Sequence, residues 1–141
     1  MSAGKNRDGA GEHDMSDHKS KSGLTRIWRA VFYSAEGFGA AVRYEHAFRQ
    51  ELFLCVVLLP FAVLLPLTRV ERAVLIASLM LVLVVELLNS AIEAVVDRVG
   101  LENHDLSKRA KDLGSAAVFL TLTTVAVVWV LIAGPVILKL L

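Results

Sequence analysis

Three carboxylates and one amide, Glu86, Glu93, Asp97 and Asn89, stand in a largely apolar run between residues 73 and 97. At the helical rotation per residue, their spacing places them all within an arc of about 80°, so they form one polar stripe. An ionised carboxylate in hydrocarbon costs on the order of 3 kcal/mol and therefore requires a partner. Interhelical hydrogen bonds would satisfy Asn89. The apolar segments supply no cation for the two glutamates.

A divalent cation would supply the missing positive charge. Mg²⁺ prefers hard oxygen ligands and is usually held by one or two carboxylates together with substrate phosphates. Glu93 lies near the end of the apolar run and could bind such an ion together with Glu45. The basic residues Lys108, Arg109 and Lys111 could then bind the phosphates of a nucleotide. A basic cluster beside a membrane segment also sets topology in most membrane proteins, so both interpretations stay open.

The composition indicates a protein whose solvent is lipid. Of the 141 residues 55% are hydrophobic and the mean hydropathy is +0.58, which is above the usual range for a soluble domain. The 15 Lys and Arg residues nearly balance the 14 Asp and Glu residues, so the net charge is uninformative. The charges instead cluster between long apolar stretches, and a nucleic-acid partner is not expected. The sequence contains neither G-x-x-x-x-G-K-[ST] nor the sequence elements of protein kinases, so the known nucleotide-binding folds do not apply.

The region before the apolar segments divides into a polar tail and a helix. Residues 1–22 are rich in Gly, Ser, Asp and Lys and are predicted to be a disordered tail. From Leu24 onward, apolar and aromatic residues recur at helical spacing with basic residues such as Arg26 between them. This pattern predicts an amphipathic helix that lies in the membrane interface. Gly37 and Gly39 are expected to weaken that helix and allow a bend.

Three apolar segments, at about residues 52–67, 73–96 and 113–138, are predicted to cross the membrane as helices. The first is short and is expected to borrow length from the preceding helix. Basic residues are concentrated before the first span and after the second, so the N-terminus of this multi-pass protein is predicted to be cytoplasmic. From the residues alone, the chain is an all-α membrane protein with a site facing the cytosol. Such a site fits an enzyme, a proton relay or an ion pathway.

The run from Glu86 to Asp97, ELLNSAIEAVVD, resembles the signature of the bacterial diacylglycerol kinases. Segments at 23–29 (GLTRIWR), 47–51 (AFRQE) and 106–118 (LSKRAKDLGSAAV) are similar to family segments in the same order, so the resemblance covers about residues 23–141. It implies a membrane lipid kinase domain that forms a homotrimer of three-span protomers, each with an interfacial helix, whose active sites are shared between subunits. It also implies an enzyme of the bacterial inner membrane that uses ATP and Mg²⁺ to phosphorylate the free hydroxyl of diacylglycerol, giving phosphatidate.

The resemblance further implies a role for each matching position. Glu86 would be the general base that takes the proton from the lipid hydroxyl, and Glu45 and Glu93 would hold the metal. The residues implied to bind ATP are Arg26, Tyr33, Glu45, Glu93, Glu102, Asn103, His104, Lys111 and Asp112. The residues implied to bind the lipid substrate are Arg26, Ala30, Ala47, Phe48, Arg49, Gln50, Glu51, Glu86, Asn89 and Ser115.

Two alternatives to this function stay open. Undecaprenol kinases share the Glu-Asn-Glu-Asp signature, although the segments AFRQE and KRAKDLGSAAV favour diacylglycerol as the substrate. The alternative without catalysis is a small ion or proton pathway in which Glu86 and Glu93 line a polar conduit.

Overall fold

The computed structural model of the chain describes residues 23–100 and 104–140, and the regular elements in these ranges are all helices. The predicted tail at residues 1–22 lies outside the described ranges. The helices are α1 (Gly23–Tyr44), α2 (His46–Leu64), α3 (Arg69–Val99) and α4 (Asp105–Leu140). The chain divides into two compact units between Glu36 and Gly37. The part of α1 up to Glu36 belongs to the first unit and is described separately from the second.

The described part of the first unit is helical as far as Glu36, as the sequence predicts. Its large apolar side chains are exposed, including those of Trp28 and Phe32. The position of this helix in the membrane interface stays a prediction. The glycines at 37 and 39 do not end the helix, because α1 continues through both to Tyr44. The chain leaves helical geometry at Glu45 instead, whose backbone is extended.

The helices α2, α3 and α4 are each long and apolar enough to cross a membrane, in agreement with the three predicted spans. The first of them begins at His46, ahead of the predicted start at residue 52, so this span does gain length from the polar segment before it. Pro60 lies inside α2. The helix ends at Leu64 because a proline follows at 66 and forces Leu65 into an extended conformation.

A short hairpin joins α2 to α3, and side chains hold both helix ends. Thr68 and Glu71 form a capping box, in which the Thr68 amide donates to Glu71 Oε2 at 2.8 Å and the Glu71 amide donates to Thr68 Oγ1 at 3.3 Å. Arg72 donates from Nε to the carbonyl of Ala62 at 3.2 Å and from Nη2 to that of Leu65 at 3.3 Å. The Ala62 carbonyl would otherwise lack a helical partner, because Pro66 has no amide hydrogen. The Leu65 carbonyl also accepts from the amide of Leu67 at 2.8 Å.

Helix α3 is the central element, because it packs against both α2 and α4. Its inward face follows helical spacing, as expected for an element that contacts neighbours along one stripe. Two apolar clusters fill the contacts, and their buried members are Ala41, Phe48, Cys55, Leu79, Val82, Leu83 and Val125 in the first and Ala62, Leu65, Leu75 and Ala133 in the second. The first cluster includes Val82 and Leu83 of α3, and the partly buried Leu87 packs against it.

Candidate active site

The polar stripe predicted on α3 is present, and burial decreases along it. Glu86 is 3% exposed and Asn89 is 8% exposed. Glu93 is half-buried and Asp97 is exposed. Asn89 Nδ2 donates to Glu93 Oε1 at 3.2 Å, which links the buried and the half-buried part of the stripe. One face of a single helix thus leads from a buried carboxylate to the helix end.

Carboxylates from other segments lie near Glu86. Glu45, between α1 and α2, and Glu93 are both close enough for their charges to act on Glu86, and the charge of Glu86 in turn acts on Glu51 of α2. Glu51 is 7% exposed, and its Oε2 has no hydrogen-bond partner within the described ranges. Like charges this close in a site of low dielectric repel one another. The arrangement is therefore incomplete without a positive partner or a proton.

The described residues contain no group of three or more His, Cys, Asp or Glu side chains arranged to hold a metal ion. A closed protein cage for a metal is thus absent from this part of the chain. Two half-buried carboxylates, Glu45 and Glu93, remain as oxygen donors beside Glu86. This donor set fits Mg²⁺, which is commonly bound by one or two carboxylates and completes its coordination with phosphate oxygens and water.

Helix α4 lies close to the stripe at Gly114. A Cβ atom built on Gly114 would overlap the side-chain amide of Asn89, with Cγ at 3.3 Å. The Oδ1 atom of Asn89 is buried and has no hydrogen-bond partner among the residues that the structure describes. Beside this contact lies a groove of about 520 Å³ between α3 and α4, in whose lining Asn89 is the sole polar side chain.

The first turns of α4 bring predicted nucleotide-binding residues to the end of the stripe. Lys111 Nζ forms an ion pair with Asp97 Oδ1 at 2.5 Å, across the junction of α3 and α4. Its charge also interacts with that of Glu93. His104 precedes α4 and accepts a hydrogen bond from the amide of Leu106 through Nδ1 at 3.2 Å. Lys111 is therefore placed beside the carboxylates, as a residue that binds phosphate would need to be.

The start of α2 holds another group of predicted residues. Arg49 donates through Nη1 to the carbonyls of Val42 at 3.2 Å and Arg43 at 3.3 Å, and its Nη2 lies 2.7 Å from Nδ1 of His46. Arg49 thereby stabilises the break between α1 and α2, where Glu45 lies. Phe48 is fully buried in the first apolar cluster, with its ring edge-to-face against that of Phe38 at 5.2 Å.

The remaining predicted residues lie in three different places. Ala47, Gln50, Asp112 and Ser115 are exposed on α2 and α4. Arg26, Ala30 and Tyr33 are exposed on the described part of the first unit, so their relation to the other site residues stays a prediction. Glu102 and Asn103 lie outside the described residues.

Gly114 is not among the predicted site residues, although the sequence contains a signal for it. Gly114 stands where α4 becomes continuously apolar, and small residues in membrane helices permit close approach of a neighbouring helix. The signal does not say which side chain the glycine admits. That partner depends on the rotation of α4 about its axis, which local sequence does not determine.

Comparison with known proteins identifies relatives over most of the chain. The family model described as prokaryotic diacylglycerol kinase matches residues 32–133. A diacylglycerol kinase of Pseudomonas aeruginosa is 59% identical over 114 residues, which are 81% of this chain and 93% of the relative. The corresponding Escherichia coli K12 protein is 49% identical over 108 residues, 77% of this chain and 88% of the relative. For the Haemophilus influenzae protein the identity is 48% over 108 residues, 77% of this chain and 92% of the relative. The chain therefore belongs to the prokaryotic diacylglycerol kinase family.

Proposed function

We propose that this protein transfers the γ-phosphoryl group of ATP to the free hydroxyl of diacylglycerol, giving phosphatidate. The observation that carries the proposal is the burial of Glu86 among other carboxylates, on a helix apolar enough to cross a membrane. A buried carboxylate is energetically costly in spans that supply no cation, so its presence indicates a functional role. A lipid alcohol can reach this depth, whereas a soluble substrate cannot.

Glu86 acts in this proposal as the general base. It accepts the proton of the lipid hydroxyl as the oxygen attacks the γ-phosphorus, and the new oxygen–phosphorus bond replaces the bond to the β-phosphate oxygen. Transfer is direct, so no phosphoenzyme forms. Glu45 and Glu93 would hold Mg²⁺, which when bound neutralises charge on the phosphate oxygens. Asn89 supports this arrangement, because its amide donates to Glu93.

The nucleotide is proposed to bind at the end of the stripe. Lys111, held at Asp97, would donate to phosphate oxygens. The other residues proposed to contact ATP are Arg26, Tyr33, Glu102, Asn103, His104 and Asp112. On the lipid side, the groove next to Asn89 offers apolar surface. The remaining residues proposed to contact the lipid are Arg26, Ala30, Ala47, Phe48, Arg49, Gln50, Glu51 and Ser115.

The protein is further proposed to be a homotrimer in the bacterial inner membrane, with a cytoplasmic N-terminus. The excess of basic residues before the first span and after the second supports this orientation. Large apolar side chains remain exposed along α2, α3 and α4, which supports contact with lipid and with further copies of the chain. A site shared between copies would also supply positive charge that the spans lack.

The test is phosphate transfer from labelled ATP in mixed micelles, with diacylglycerol and undecaprenol offered side by side, with and without Mg²⁺. Metal-dependent labelling of diacylglycerol is the expected result. Labelling of undecaprenol alone would assign the sister activity, and labelling of neither lipid would contradict a kinase and direct attention to ion flux into liposomes.

The general base is tested by Glu86→Gln, which keeps the shape of the side chain and removes its ability to accept a proton. Turnover is expected to fall at least about a hundredfold, in the range that a positioned base contributes. Glu36→Gln makes the same change at an exposed position and should retain full activity. A Glu86→Gln variant that is correctly assembled and still active would show that another group takes the proton.

A further inference from the structure

A side chain at Gly114 would collide with the site. A Cβ atom there would overlap Oδ1 of Asn89 and lie 3.3 Å from Cγ, while the Cα of Asn89 would be at 3.9 Å, an ordinary contact. On the same helix, a Cβ atom at Gly134 would meet nothing within 4 Å. The collision at Gly114 thus involves the end of the Asn89 side chain and leaves the backbone of α3 at a normal distance.

The position of Gly114 bears on which way the Asn89 amide faces. In the observed arrangement, Oδ1 lies against Gly114 and Nδ2 donates to Glu93 Oε1 at 3.2 Å. A glycine Cα–H can make a weak favourable contact with a carbonyl oxygen at close range. Exchanging the two ends of the amide would turn Oδ1 toward the carboxylate of Glu93, and two oxygen acceptors would then repel each other. The close approach of α4 therefore favours the orientation in which the amide binds Glu93.

We propose that Gly114 is a positioning residue for the kinase reaction, and that its missing side chain keeps Asn89 in the orientation that holds the carboxylate of Glu93. This inference rests on the proposed function, in which Glu93 binds the metal that accompanies ATP. In this proposal Gly114 acts on the reaction through Asn89, although it also lines the groove proposed for the lipid.

Alanine at position 114 should disturb the site more than the fold. The obstructing atoms belong to the far end of a side chain, so Asn89 can rotate away while both helix backbones stay in place. Alanine also has a higher helix propensity than glycine, which favours α4. The rotated amide would no longer donate to Glu93, and a carboxylate without its supporting hydrogen bond would be less well oriented.

The experiment compares Gly114→Ala, Asn89→Ala, the double variant and the control Gly134→Ala, each as full-length protein in micelles. Gly114→Ala is expected to lose about tenfold or more in kcat and to need more Mg²⁺ for half-maximal activity, as when a residue supporting a metal ligand is removed. Its thermal unfolding midpoint should stay close to that of the wild type, and its KM for diacylglycerol should change less than its kcat, although Gly114 lines the groove proposed for the lipid. The double variant should be no worse than Asn89→Ala, because both substitutions remove the same hydrogen bond. Gly134→Ala should behave as the wild type.

A second readout is independent of catalysis. The side-chain amide of Asn89 gives a pair of ¹⁵N–¹H resonances, which are assigned by their absence from Asn89→Ala. These resonances should shift in Gly114→Ala and remain in place in Gly134→Ala. Unchanged resonances in Gly114→Ala would overturn the proposal. A double variant whose fold-loss in kcat equals the product of the two single losses would also overturn it. If the wild type phosphorylates no lipid, the proposed function fails, while the amide resonances still decide whether Gly114 orients Asn89.

Discussion

Replacing Glu51 with methionine is expected to stabilise the fold while lowering turnover. Glu51 lies on the inward face of α2 between Phe48 and Cys55, and its buried Oε2 has no hydrogen-bond partner within the described ranges. A buried polar atom without a partner costs about 1–3 kcal/mol. Methionine is similar in length, carries no charge and packs well in irregular spaces. The variant should therefore gain about 2 kcal/mol in the free energy of unfolding.

This gain corresponds to a rise of about 8 °C in the thermal unfolding midpoint, at roughly 4 °C per kcal/mol for a domain near this size. The midpoint is measured by tryptophan fluorescence of the purified protein in micelles, and turnover is measured with diacylglycerol in the same detergent. Turnover should fall, because Glu51 is proposed to contact the lipid and its charge interacts with that of Glu86. Glu36→Met makes the same change at an exposed position and should not raise the midpoint.

A lower midpoint for Glu51→Met would refute the reasoning, because it would mean that Oε2 has a partner in the assembled protein. A raised midpoint with unchanged turnover would refute the functional part instead. In that case the carboxylate of Glu51 would contribute nothing to the reaction.

Two further variants test contacts between helices. Arg72→Met should lower the unfolding midpoint, with a loss of about 2 kcal/mol, because two carbonyls at the end of α2 lose charged hydrogen bonds. Arg69→Met, at an exposed position, should stay within about 0.5 kcal/mol of the wild type, and equal midpoints for the two variants would contradict the role of Arg72. Asp97→Asn should raise the KM for ATP up to about fivefold at low salt, because Lys111 loses its ion pair. The increase should shrink as salt screens the exposed charges, and a KM unchanged at low salt would show that Asp97 does not position Lys111.

The number of helices and the polar stripe of α3 could be predicted because both depend on local sequence. Long apolar runs predict spans, and the spacing of Glu86, Asn89 and Glu93 places them on one face of any helix. The first span extends further toward the N-terminus than its apolar run, since residues from His46 onward continue the helix. Hydropathy identifies only the apolar residues of a span, whereas the helix itself continues until its backbone hydrogen-bonding pattern ends.

The contacts across helices could not be predicted from the sequence in the same way. The acidic character of Glu51 is visible in the sequence, but its burial on the apolar face of α2 depends on how that helix rotates against α3. The contact of Gly114 with Asn89 likewise requires α4 to approach at one particular height. The resemblance to the diacylglycerol kinases pointed to Glu51 and Asn89 without giving the packing that surrounds them.

A lipid kinase must bring together a hydroxyl that stays at the membrane and a nucleotide that stays in water, and one face of α3 suits this task. From Glu86 to Asp97 the stripe rises about 16 Å along the helix axis, from a buried carboxylate to an exposed one. If Glu86 is the base, as proposed, its burial would keep water from competing with the lipid hydroxyl for it. The exposure of Asp97 and Lys111 leaves room for phosphates at the other end. A single helix with polar residues on one face would therefore align the proposed base with the residues proposed to bind phosphate. This arrangement would explain how a chain without a known nucleotide-binding fold supports phosphoryl transfer.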